Sequence, residues 1–161
     1  MALLVTAAEL IDVAVGIEKS GAAFYEYLVN TTRDLRAQVM YKYLADQERE
    51  HIKIFQMLRT DVGDYSSPMS SSDEYAEYLE ALVKSAVFGN DMMARKMAEK
   101  ASSDSEAIDI AIRAEKDSIL FYVAIKDLVR RSDVETIEKI VREEKSHLTQ
   151  LSEFKKGPGK A

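Results

Sequence analysis

Apolar residues recur along this chain at intervals of three and four, the spacing that places them on one face of a helix. Ile11, Ala14, Val15, Gly21, Ala22, Tyr25 and Leu28 form a first stripe, and Tyr41, Leu44, Ala45, Ile52, Phe55 and Leu58 a second. Ile108, Ala111, Ile112, Ser118, Ile119, Tyr122 and Ile125 form a third, and Ile137, Ile140, Val141, Leu148 and Leu151 a fourth. Each stripe buries one helix face against its neighbours. Thr6 with Glu9, Ser103 with Glu106 and Ser132 with Glu135 fit the capping box, in which two side chains satisfy free backbone donors at a helix start. The predicted helices span 7–30, 33–60, 105–130 and 133–155. Asn30-Thr31-Thr32 and Arg131-Ser132 are short connections, so the helices pair as two antiparallel hairpins.

Residues 61–103 break the pattern. A polar loop covers 61–72, a helical spacing of Tyr75, Tyr78, Leu79 and Leu82 follows over 73–88, and Gly89-Asn90 ends it before a short Met-rich helix at 91–101. This insert is expected to carry the chain from the first hairpin to the second. Its apolar residues, Val83 among them, would either cover the bundle or supply a dimer interface, and a homodimer is the expected assembly. Met92, Met93 and Met97 are read as packing or interface residues rather than ligands, and the tail at 156–161 as frayed. The expected fold is all-α: one domain over 1–161, a four-helix bundle of two hairpins with a long helical crossover.

The hairpins repeat each other. Without a gap, 10–25 aligns with 107–122, matching Ile11 to Ile108, Asp12 to Asp109, Ala14 to Ala111, Glu18 to Glu115, Lys19 to Lys116, Phe24 to Phe121 and Tyr25 to Tyr122. Dropping one residue then aligns Glu48 with Glu144 and His51 with His147. Duplication is the simplest account of this.

Both histidines of the chain therefore sit three residues after a glutamate, in Glu48-Arg-Glu-His51 and Glu144-Lys-Ser-His147. That spacing projects Glu and His from the same helix face. Glu18, Glu48, Glu115 and Glu144 all lie in mid-stripe, and no Lys or Arg shares a stripe with them. A buried carboxylate without a partner costs several kcal/mol or takes up a proton. Two divalent cations would neutralise four carboxylates, and two neutral imidazoles would complete the ligand set. Mixed oxygen and nitrogen donors suit iron, manganese or zinc better than calcium or magnesium. Tyr25 and Tyr122 each lie seven residues after a candidate ligand, on the same face, and could either hold a carboxylate of a neighbouring helix or simply find a buried partner. Lys19, Lys116, Asp12 and Asp109 point off the stripes.

Composition narrows the remaining classes. The chain has 161 residues and no Cys, which excludes disulfides, thiolate metal sites and thiol catalysis. A net charge of −6 argues against a nucleic-acid partner. No apolar run is long enough to span a membrane, and the N-terminus lacks the basic region and cleavage pattern of a signal peptide, so a cytoplasmic protein is expected. There is no Ser/His/Asp arrangement, glycine-rich phosphate loop or HExxH hydrolase motif.

The paired Glu and Glu-x-x-His pattern resembles the ferritin-like diiron-carboxylate superfamily, whose arrangement is one Glu from each of two helices and Glu-x-x-His from each of the other two. Within it, Ala45-Asp-Gln-Glu-Arg-Glu-His51 is similar to the helix-2 motif of the rubrerythrins, and the likeness covers 10–58 and 107–154. The resemblance implies two iron ions on Glu18, Glu48, His51, Glu115, Glu144 and His147, and an oxidoreductase reaction with peroxide or dioxygen. Many rubrerythrins also carry a rubredoxin domain whose iron is held by four cysteines. This Cys-free sequence has none, so electrons would come from an external donor such as a rubredoxin-type protein. A non-catalytic iron-binding, storage or structural bundle is the alternative.

Overall fold

The computed structural model describes residues 6–68 and 72–157. The predicted tail beyond Gly157, the first five residues and part of the polar loop lie outside them. The described residues form six α-helices and no strand: α1 (Ala7–Thr31), α2 (Leu35–Val62), α3 (Asp73–Ser85), α4 (Asp91–Lys100), α5 (Asp104–Ile125) and α6 (Val134–Lys156). α1 pairs with α2 and α5 with α6, and these four build the bundle.

The helix ends follow their capping chemistry. Thr6 and Glu9 form a complete capping box at the start of α1. Asp34 accepts from the backbone N–H of Arg36 and Ala37, at 2.8 and 3.3 Å, so α2 starts at Leu35 rather than at 33. Ser103 caps α5 by accepting from Glu106 N–H, but the Glu106 carboxylate reaches back to Ser102, so the expected box is shifted by one residue. The box expected between Ser132 and Glu135 does not form. Instead α5 ends at Ile125 and the chain passes through short 3-10 turns at Lys126–Leu128 and Arg131–Asp133. The Arg130 guanidinium grips Asp133 with two bonds of 2.8 and 3.0 Å, and α6 starts only at Val134.

The crossover covers one side of the bundle. α3 packs against α5, where Leu79 is buried, Tyr75 and Leu82 are half-buried, and the Tyr75 hydroxyl donates to the Ala124 carbonyl. Tyr78 and Val83 remain exposed. α3 ends at Ser85, before the expected 88, because the next residues dock: Val87 N–H donates to Asp117 at 2.8 Å, and the Phe88 ring lies 4.9 Å from that of Phe24. α4, capped by Asn90, lies along α1 on Ala94 and Ala98. Met97 is half-buried there, while Met92 and Met93 are exposed. None of the described helices is long and apolar enough to cross a membrane.

The apolar core is in two pieces. One contains Ile11, Phe55, Tyr122, Ile125, Ile137 and Ile140; the other contains Phe24, Tyr25, Tyr41, Leu44, Ile108 and Leu151. Each piece draws on all four bundle helices, at opposite ends. The middle turns of the helices lie between them, and the polar residues are there.

Candidate metal centre

Glu18 projects from the middle of α1, Glu48 and His51 from α2, Glu115 from α5, and Glu144 and His147 from α6. All six are buried, none more than 4% exposed. Their donor atoms form two clusters, one of Glu18, Glu48, His51 and Glu144, the other of Glu48, Glu115, Glu144 and His147. Within each, one atom from every residue lies within 4.8 Å of the others. The two imidazole rings have their centroids 5.8 Å apart and are inclined at 27°.

Among the described residues, the buried side-chain atoms without a hydrogen-bond partner are Glu18 Oε2, Glu48 Oε1, His51 Nδ1, Glu115 Oε2, both Glu144 oxygens and His147 Nδ1. All belong to the six residues above. His51 Nδ1 comes within 2.7 Å of Glu144 Oε1 and 3.3 Å of Glu18 Oε2, but not in hydrogen-bonding orientation. His147 Nδ1 stands 3.7 to 3.9 Å from oxygens of Glu144, Glu115 and Glu48. Buried polar atoms are nearly always paired, so donors converging on a common centre without pairing fit a cation shared among them. The donors are carboxylate oxygens and imidazole nitrogens only, a set suited to first-row transition metals.

The protonation pattern fits as well. Burial raises the pKa of Glu18, Glu48 and Glu115, and the other carboxylates raise it further. Burial would raise Glu144 too, but the two histidines beside it hold it below the usual carboxylate range. Burial works against a charged His51, yet Glu144 and Glu18 outweigh it and push its pKa up to about 11. Protons and cations therefore compete for the same cluster.

The two tyrosines cross between the hairpins. Tyr25 on α1 donates to Glu115 Oε1 on α5 at 2.5 Å, and Tyr122 on α5 donates to Glu18 Oε1 on α1. Each thus holds a carboxylate of the neighbouring helix by one oxygen and leaves the other oxygen facing the centre. Burial, then the adjacent glutamates, raise the pKa of both phenols, so they stay donors.

The sequence profile of the rubrerythrin family matches residues 9–155. The chain belongs to the rubrerythrin family. It is also similar to a crystal structure of a candidate ferritin-like diiron-carboxylate protein from Thermotoga maritima, with 29% identity, 95% of this chain and 96% of that one covered, and a TM-score of 0.67. No curated protein matches.

This member of the rubrerythrin family uses two residues that the stripes did not single out for function. Glu143 Oε2 lies 2.8 Å from His51 Nε2, so a carboxylate backs the imidazole on the side away from the centre. Such a partner fixes the ring and its tautomer. The available signal was its position directly before Glu144, matched in the first hairpin by Gln47 directly before Glu48. In the sequence Gly21 is only one member of a stripe. A Cβ there would stand 2.5 Å from Glu48 Oε2, so the glycine makes the room in which that carboxylate lies. Lys19 and Lys116 are exposed. Asp12 pairs at the surface with Arg59, and its repeat counterpart Asp109 with Lys155.

Proposed function

We propose that this protein binds two metal ions, iron first and manganese or zinc as alternatives, and reduces hydrogen peroxide or dioxygen with electrons from an external donor such as a rubredoxin-type protein. The observation that carries the metal reading is the set of orphaned buried donor atoms, all on Glu18, Glu48, His51, Glu115, Glu144 and His147. Glu48 and Glu144 belong to both clusters and would be the carboxylates shared between two bound ions. Glu18 with His51, and Glu115 with His147, would then serve one position each. Bound iron would supply Lewis acidity and the two electrons needed to break an O–O bond.

The protein's own residues supply the rest. Tyr25 and Tyr122 orient Glu115 and Glu18, and the two apolar clusters keep water from the ends of the site. Glu143, with about a third of its side chain exposed, links His51 Nε2 to solvent and offers a path for protons released as the ligands take up metal. Family membership supports the diiron chemistry, and the peroxide or dioxygen reaction is inferred from it.

Metal analysis of protein loaded anaerobically with Fe(II) should find about two irons per chain. His51→Leu and Glu144→Ala should lose most of that metal while staying helical by circular dichroism. Addition of peroxide to the loaded, reduced protein should give oxo-bridged ferric absorbance, and turnover with a rubredoxin-type donor. Two bound irons with neither signal would remove the oxidoreductase reading, and unchanged metal content in both variants would remove the site.

A further inference from the structure

A cavity of about 300 Å³ lies beside the centre, between α1, α5 and the segment that joins α3 to α4. Its walls are largely apolar, with Val13 and Ile17 from α1, Phe121 from α5, and Leu82, Val87 and Phe88 from the crossover. Tyr25, Glu48 and Glu115, each almost fully buried, also line it, and the last two are candidate ligands. The cavity therefore borders the candidate centre, while the orphaned oxygens Glu48 Oε1 and Glu115 Oε2 are themselves closed off from it. The crossover is tied down around it. Ser20 Oγ donates to Asp91 at 3.1 Å, and Val87 N–H donates to Asp117 at 2.8 Å, so both acids of the rim are engaged in holding the wall.

Size and charge limit what fits. Hydrogen peroxide has about the bulk of two waters and would leave most of this space empty. A pocket of this volume with apolar walls and a few convergent polar atoms suits a small organic molecule. Besides the candidate ligands Glu48 and Glu115, the acids Asp91 and Asp117 line it and no Lys, Arg or His does, which disfavours an anion such as a fatty-acid carboxylate.

We propose that the cavity binds an uncharged organic hydroperoxide, its apolar body between Val13, Val87 and Phe121 and its peroxide end at Glu48 and Glu115. This rests on the peroxide-reducing reading above and names the substrate class for that site. The O–O bond breaks, two electrons arrive from the external donor and two protons from solvent, and the products are the alcohol and water.

The test uses the full chain, metal-free and zinc-loaded, with 2-phenyl-2-propanol as an unreactive stand-in for cumene hydroperoxide and benzoate as an anionic control. Calorimetry should show saturable binding of the alcohol and none of benzoate. Val13→Trp and Val87→Trp fill the cavity from α1 and from the crossover, and each should weaken the alcohol by about tenfold or more with unchanged circular dichroism and metal content. With iron-loaded protein and donor, kcat/KM for cumene hydroperoxide relative to hydrogen peroxide should fall about tenfold in the same variants. Absence of saturable binding, tighter binding of benzoate, or wild-type affinity in both folded variants overturns the assignment. Reduction of hydrogen peroxide without any of cumene hydroperoxide also overturns it, and leaves the broader function standing. If two irons bind and neither peroxide is reduced, the broader function fails and this assignment fails with it.

Discussion

Tyr25 and Tyr122 decide where two of the four buried carboxylates point. Each gives its hydroxyl to one oxygen of a glutamate across the bundle, which leaves the second oxygen for the centre. Tyr122→Phe keeps the ring against Phe55, 5.1 Å away, but removes the donor. Glu18 is then free to rotate, and an unpaired buried acceptor costs about 1–3 kcal/mol. Metal affinity, measured by competition with a chelator, should fall by about 10–100-fold in Tyr122→Phe and in Tyr25→Phe. Wild-type affinity in both would reduce the tyrosines to packing. Their position was legible in the sequence because seven residues return a side chain to the same helix face. Glu143 was not, because it lies about 100° round the helix from Glu144. Whether that direction meets solvent or His51 depends on how α6 is rotated against α2, which no single-helix pattern contains.

At the level of the helices, Gly21 sets stability against function. A glycine inside a helix costs about 0.5–1 kcal/mol relative to alanine. Gly21→Ala should therefore leave metal-free protein as stable as wild type or slightly more so, because the atom it displaces is the flexible end of Glu48. The same displacement moves a carboxylate assigned to both metal positions. Chelator competition should show weaker binding, and thermal unfolding should show that loaded protein gains less from metal than wild type does. Tighter metal binding in Gly21→Ala would contradict this. The four bundle helices were legible from their stripes, since burying a face needs only the right period. Their ends were less so. Ser132 and Glu135 have the spacing of a cap, but the chain bends earlier, where Arg130 takes hold of Asp133. The cavity was not legible at all, because residues from α1, α5 and the crossover line it and only packing brings them together.

The whole molecule responds to pH through the same cluster. Glu18, Glu48 and Glu115 hold protons more tightly folded than at their ordinary value of 4.5. The stability they contribute is complete below that value and is lost as pH rises through the raised ones. His51 acts in the same sense, from its ordinary 6.5 up to about 11. Glu144, whose pKa is lowered, acts oppositely, but its contribution is complete above 4.5 and is lost only in acid. Metal-free protein should therefore melt at progressively lower temperature from about pH 5 to about pH 9. Loaded protein should hold steady or gain over the same range, since metal competes with protons for these ligands. Calorimetric melts of both forms decide it, and a rising melting temperature for the metal-free form would contradict the assignment of protons to the cluster.

The crossed tyrosines have one more consequence. Tyr25 bonds Glu115 while its repeat partner Tyr122 bonds Glu18, the partner of Glu115. When residue i meets j and j meets i, the contact has the form of an isologous interface between two identical subunits. Here both sides of that interface belong to one chain, and an approximate two-fold axis runs through the centre. The two metal positions would be equivalent but for the residues that break this symmetry. Glu143 faces Gln47 in the repeat, Gly21 faces Ser118, and the cavity reaches Glu48 and Glu115 but neither of their counterparts, Glu144 and Glu18. Any division of labour between the two metal ions has its origin in those departures.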